Sequence, residues 1–139
     1  MMDRPAALAI VFTLAAVAAG CASSPAHLYT LSATVTPSAA SSKLSVAVGP
    51  VSVPAAVDRP QIVVSTSANQ VTVDDFNRWA SPLQDNLARV VAENLVALLG
   101  TPRVTLFPQT LSADVDYRVQ IEIRNFESAP GKSASLDAV

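Results

Sequence analysis

"SPLQDNLARVVAENLVALLG", residues 81–100, decides the fold. Leu83, Leu87, Val90, Val91, Asn94, Leu95 and Leu98 recur at spacings of three and four, which puts them on one face of an α-helix. Ser81 suits the N-cap, Pro82 the first helical position, and Gln84, three past the cap, completes a capping-box pattern. Gly100 stands where a left-handed C-cap is wanted, and Pro102 blocks continuation. Asp85, Arg89 and Glu93 lie four apart on another face, spaced to pair along it. A helix from Pro82 to Leu99 spans about 27 Å. Each apolar side chain buried from it contributes about 1.5–3 kcal/mol, so a charge at Leu87 or Leu95 is expected to unfold the domain.

The segments on either side of the helix read as strands. Upstream, "LSVAVGPVSVP" (44–54) alternates, with Leu44, Val46 and Val48 on one face and Ser45, Ala47 and Gly49 on the other. Gly49-Pro50 marks a bulge or kink within it, because proline cannot donate a ladder hydrogen bond. Ile62–Val64 and Val71–Val73 frame Ser67-Ala68-Asn69-Gln70, a β-hairpin with Asn69 expected left-handed. Downstream, "RVTLFP" (103–108) is a short strand. "DYRVQIEIRNFE" (116–127) sets Tyr117, Val119, Ile121 and Ile123 against Arg118, Gln120, Glu122 and Arg124, the pattern of an antiparallel strand wet on one side. "SAPGKSASLDAV" (128–139) begins as a loop at Pro130-Gly131 and stops just as Leu136, Ala138 and Val139 would start another strand, so the strand before it is expected to lack a neighbour, an exposed edge. The expected fold is α+β: a largely antiparallel sheet packed against one long amphipathic helix.

The N-terminal third has a different texture. Ala6 to Ala19 is uncharged, shorter than the roughly 20 apolar residues of a bilayer span, and ends in Ala18-Ala19-Gly20 before Cys21. Residues 1–20 therefore read as a signal peptide. Residues 22–43 are dominated by Ser, Ala, Thr and Pro and read as a flexible tether, with "HLYTL" (27–31) a short strand that pins it. The domain proper is 44–139. The net charge is −2, and Asp3 and Arg4 cancel, so loss of the leader does not alter it. Such a balance gives no electrostatic reason to expect nucleic acid.

Catalytic constellations are sparse. Cys21 is the only cysteine and His27 the only histidine. A Cys–His or Ser–His–Asp arrangement must use His27, which lies in the expected tether, whereas catalytic pairs need holding within about 0.5 Å. The expectation is no enzyme, no cofactor and no metal. Asp74-Asp75 reads as a strand end or helix cap rather than a cation site. A lone cysteine in an exported chain excludes an internal disulfide framework. Small residues before Cys21 and a Ser/Pro spacer after it resemble bacterial lipoprotein precursors, with Ala18 where those usually have Leu. The resemblance implies cleavage before Cys21 and lipid, palmitate included, on its thiol. Ala22, which is not Asp, favours the outer membrane.

"CASSPAHLYTL", "VAVGPVSVPAAVDRPQIV", "DDFNRWASPLQDNLARVVAENLVALLG" and "DYRVQIEIRNFE" together resemble the ABC-type transport auxiliary lipoproteins. The resemblance runs from Cys21 to Val139. It implies an outer-membrane lipoprotein on the periplasmic face that acts as a non-catalytic adaptor for an envelope-spanning MCE-domain protein in lipid transport, supporting membrane integrity. A structural envelope lipoprotein without a transport role is the alternative, and homo-oligomerisation stays open. The resemblance marks Asp58, Arg59, Pro60, Gln61, Arg78, Trp79, Pro82 and Asn86 as signature positions, each either structural or partner-contacting. Members of the family continue past "SASLDAV", so the chain is expected to be C-terminally truncated relative to them, with an incomplete sheet.

Overall fold

The computed structural model describes residues 24–39, 41–108 and 114–139; the expected signal peptide over residues 1–20 and Cys21 lie outside the described residues. Its elements run β1 (His27–Tyr29), β2 (Val46–Ser52), β3 (Gln61–Ser67), β4 (Gln70–Trp79), α1 (Leu83–Leu99), β5 (Val104–Leu106), β6 (Tyr117–Ala129) and β7 (Ser133–Ala138). They form two sheets, ordered β1-β4-β3 and β5-β2-β6-β7.

The core lies on β2. Val46, Ala47 and Val48 are all buried, because β2 is flanked by β5 and β6 and covered by α1. Val46 and Val48 pack with Ala92 of the helix, against Val91, Leu95, Leu99, Val104, Leu106, Val119 and Ile121. The α+β class holds, but the sheets are mixed rather than largely antiparallel. β2 runs parallel to both β5 and β6, with Val46 opposite Val104 and Tyr117. The reason is the connection: α1 carries the chain back across the sheet, so β5 starts from the same end as β2. Alternation along one strand carries no record of its neighbour's direction.

The bulge expected at Gly49-Pro50 is present as a register shift between Val48 and Val51. Gly49 has φ 108°, and a Cβ there would stand 3.0 Å from the Cβ of Phe107, whose N–H donates to the Val48 carbonyl at 2.8 Å. Tyr117 is exposed at the mouth of β6, whereas Val119, Ile121 and Ile123 turn inward. β6 does not lack a neighbour. Residues 133–138 form β7 antiparallel to it through a turn over Pro130–Lys132, and Glu122 and Val139 exchange backbone hydrogen bonds of 2.8 and 2.9 Å. Across the hairpin, Ser67 pairs with Gln70. Among the described residues only glycines have positive φ, so Asn69 is not left-handed.

Helix α1 starts one residue later than its sequence suggests. Pro82 is the N-cap, no side chain caps it, and the Ser81–Gln84 capping box does not form. The Pro82 carbonyl instead accepts from the N–H groups of Asp85 and Asn86, both at 3.1 Å. Gly100 takes the expected left-handed turn (φ 60°, ψ 33°), its N–H donating to the Val96 carbonyl. The buried stripe is rotated from the expected one: Leu98 is exposed, while Asn86 is buried.

Residues 30–39 and 41–43, composed like a flexible tether, run along this helix. Ser38 and Ser42 donate their N–H groups to the carbonyls of Ala97 and Leu99, both at 2.9 Å. These are carbonyls of the last turn, which have no partner within the helix. Backbone groups carry these bonds, so side-chain composition does not reveal them.

Candidate functional site

The segment from Pro54 to Gln61 is folded tightly against the end of β4. The Pro54 carbonyl accepts from the N–H groups of Val57 (3.0 Å) and Asp58 (3.1 Å), and the Val57 carbonyl from that of Arg59 (2.8 Å). Pro60 has no N–H, but its carbonyl accepts from Trp79 at 2.7 Å. Gln61 then faces Arg78 across the β3–β4 ladder. Two stretches nearly 20 residues apart in the chain are thereby clamped side by side.

The result is a surface cleft of about 360 Å³, lined by Asp58, Arg59, Pro60, Trp79 and Pro82 together with Ala80, Ser81 and Leu83. Five of the eight signature residues meet there. Trp79 also walls a second cavity of about 330 Å³ between the sheets, lined mainly by Val57, Ile62, Val63, Phe126 and Leu136. Its ring meets that of Phe126 edge-on, centroids 6.4 Å apart at 75°. Trp79 thus reports on both the joint between sheets and the surface cleft.

The other three signature residues do not line the cleft. Gln61 and Arg78 sit on the ladder behind it, and Arg78 donates Nε–H to the Asp75 carbonyl at 2.8 Å. Asn86 is a structural node, 1% exposed. Its Oδ1 accepts from Thr30 Oγ1 (2.9 Å) and Arg89 Nη2 (3.2 Å), and its Nδ2 donates to the Ser81 carbonyl (3.2 Å).

Arg89 is more than half of a surface ion pair. Its Nη1 meets Glu93 at 2.8 Å, as the spacing predicts. Its Nη2 donates to the Leu31 carbonyl at 2.6 Å and to Thr30 Oγ1 at 3.2 Å, tying the N-terminal segment to the helix. The four-residue spacing reveals Glu93; nothing in the sequence reveals Leu31.

Two acids, Asp74 and Asp116, accept from backbone N–H groups. Asp74 is neither strand end nor helix cap but the organiser of a β4 bulge. Its Oδ1 accepts from the N–H groups of Phe76 and Asn77, both at 2.9 Å, and its Oδ2 from Asn77 Nδ2 at 2.7 Å. The Asn77 hydrogen bonds, with Phe76, hold its carboxyl below the usual range. Asp116 Oδ2 accepts from the backbone N–H and the hydroxyl of Ser45, both at 2.7 Å, which lowers its pKa likewise. His27 lies on β1 opposite Asn77, an ordered position rather than a tether.

A cleft walled by Trp and Pro, with one cation and one anion at its rim, has the aromatic and arginine content of contact surfaces. The arrangement of two mixed sheets, with one helix laid across the sheet centred on β2, defines an α+β domain whose sequence signature gathers at the start of that helix. The model of the family described as the ABC-type transport auxiliary lipoprotein component matches residues 29–139, and the chain belongs to that family. A crystal structure of a Xanthomonas campestris protein assigned to DUF330 is similar, with TM-score 0.66 and 24% identity, over 81% of this chain and 65% of that one. A second, of a protein described as uncharacterized, has TM-score 0.61 and 20% identity, over 84% and 78%. The chain thus spans 65% of the length of the Xanthomonas structure, and at these identities the likeness is one of fold. No curated protein matches the chain.

Proposed function

We propose that the chain is an outer-membrane lipoprotein that serves an MCE-type ABC lipid transport system as a non-catalytic docking subunit for the envelope-spanning MCE protein. Cleavage before Cys21 leaves that residue as a lipid-modified N-terminus on the periplasmic face. Each buried acyl methylene adds about 0.8 kcal/mol, so several chains hold the protein firmly. The observation that carries the docking role is the convergence of Asp58, Arg59, Pro60, Trp79 and Pro82 on one surface cleft. These residues do not share a core position that would account for them together, and the domain belongs to a family of transport auxiliary components.

A photo-crosslinking residue at Arg59, introduced into the lipoprotein in its native envelope, tests the proposal. The expected result is a crosslink to an MCE-domain protein that disappears when Trp79 is replaced by Ala while the lipoprotein remains at its normal level. Recovery of no MCE or transport component from crosslinked envelopes overturns it.

A further inference from the structure

We infer that β1 and the two residues after it form a strap that holds the wall of the surface cleft, so that the cleft keeps its docking shape only while the N-terminal segment is seated. The inference rests on the cleft being the docking site and names what controls it.

The wall of the cleft next to α1 is the connection Ala80–Ser81–Pro82. It lies between β4 and α1, outside both elements. The N-terminal segment holds it at two points. Ala80 donates its N–H to the Tyr29 carbonyl at 2.8 Å. The Ser81 carbonyl accepts from Asn86 Nδ2 at 3.2 Å, and Asn86 Oδ1 accepts in turn from the Thr30 hydroxyl at 2.9 Å. Trp79, one residue before Ala80, donates its N–H to the Pro60 carbonyl at 2.7 Å. Pro60 leads into β3, which flanks β4 on the edge opposite β1. The Trp79–Ala80 step is therefore held from both edges of β4. Release of Tyr29 leaves it held from one, and release of Thr30 frees the amide that steadies Ser81.

The strap itself is held mainly by hydrogen bonds. All three residues of β1 are exposed, so little apolar burial supports it. Its ladder covers only His27, Leu28 and Tyr29, opposite Asn77, Arg78 and Trp79. The Tyr29 hydroxyl donates to Asn77 Oδ1 at 2.8 Å, and Asn77 is fixed by the Asp74 bulge. Arg89 Nη2 closes the other end on the Leu31 carbonyl and Thr30 Oγ1. A short edge strand with few buried apolar contacts is the kind of element that opens locally, well below global unfolding. β1 is also the first element after Cys21, six residues away, so a pull on the proposed anchor loads it before any other element.

The test reads amide hydrogen exchange by NMR on the lipoprotein extracted from envelopes into detergent micelles. Tyr29→Phe combined with Thr30→Val removes two side-chain bonds of the strap and keeps both side-chain shapes. The amides of Ala80 and Trp79 are both expected to exchange at least about fivefold faster, the effect of losing two hydrogen bonds at the low end of their net worth. The amides of Ala92 in the core face of α1 and of Val46, bonded to the Arg103 carbonyl at 2.9 Å, are expected to keep their rates. An equal rise at all four amides is a loss of global stability and overturns the strap. Faster exchange at Ala80 alone, or no change there, overturns it as well.

A second measurement reads control of the cleft. Tyr29→Pro removes the hydroxyl and the N–H together and breaks the strand. The photo-crosslink from position 59 to the MCE-domain protein is expected to be lost in this variant at a normal lipoprotein level. An undiminished crosslink overturns the inference and leaves the docking reading standing. Absence of the crosslink with Tyr29 in place removes the docking reading and its control together, whereas the exchange rates still decide whether strap and wall open as one.

Discussion

Replacing Asn86 with Ala tests whether a signature residue near the cleft works by holding the fold. The side chain is 1% exposed and makes three hydrogen bonds, to Thr30, Ser81 and Arg89, at 2.9, 3.2 and 3.2 Å. Each is worth about 0.5–1.5 kcal/mol net. Thr30 lies at the surface and Arg89 is only half-buried, so both regain water when the amide is removed, which keeps their losses near the low end. The cavity left by the buried side chain adds to the cost. The sum is about 2–3 kcal/mol, and with a urea slope of about 1–3 kcal/mol per M the midpoint falls by about 0.7–3 M. Equilibrium urea unfolding by circular dichroism measures it. Thr30→Val removes one of the same bonds, so the double variant should lose at least about 0.5 kcal/mol less than the two singles added. A midpoint shift under about 0.3 M for Asn86→Ala, or strict additivity with Thr30→Val, refutes the node and returns Asn86 to the contact residues.

Leu83 is 1% exposed at the first turn of α1, and Leu83→Ala should cost about 2–5 kcal/mol in the same assay, more than a truncation at the half-buried Leu87 or Leu95. Gly49→Ala meets both a positive φ and the Phe107 Cβ, and should lower the thermal midpoint with a loss of about 1–2 kcal/mol, whereas Gly131→Ala meets no atom within 4 Å and should cost less. The lowered pKa of Asp116 stabilises the fold wherever the carboxylate is ionised in both states. That contribution is complete above the ordinary carboxylate range near pH 4 and drains away as pH falls from there through the folded-state pKa. Asp116→Asn should flatten the acid limb of a stability–pH curve below about pH 4, and an unchanged limb contradicts the Ser45 pairing.

Much of the architecture is legible along single elements. The helix and its Gly100 stop, the Gly49 kink, the Ile62–Val73 hairpin and the β6 alternation all depend on neighbours a few residues away, where spacing and backbone chemistry suffice. The strand direction around β2 is not legible, because parallel and antiparallel neighbours bury the same alternating face. β7 is legible only at its end, in Leu136 and Ala138, because Ser133–Ser135 carry no apolar pattern and the strand is exposed throughout. The capping box fails although its residues are present, because Pro82 supplies the first carbonyl and Asn86 turns inward.

The candidate site divides the same way. Its residue types stand out in "DRPQIV" and "RWASPL", yet the cleft exists only because the Pro60 carbonyl meets the Trp79 N–H and draws the two stretches together. The N-terminal segment shows the contrast most clearly. Its Ser, Ala, Thr and Pro composition correctly signals that it buries little apolar surface, and by that measure alone it is a tether. The folded helix offers it the unpaired carbonyls of its last turn and the Arg89–Asn86 pair. By itself the sequence determined the periods, the turns and the identity of the anchor candidate, all local consequences of side-chain size and φ/ψ preference. Tertiary structure alone decided which backbone groups meet across 50 or more residues, because a hydrogen bond between main-chain atoms leaves no mark on the side chains that would announce it.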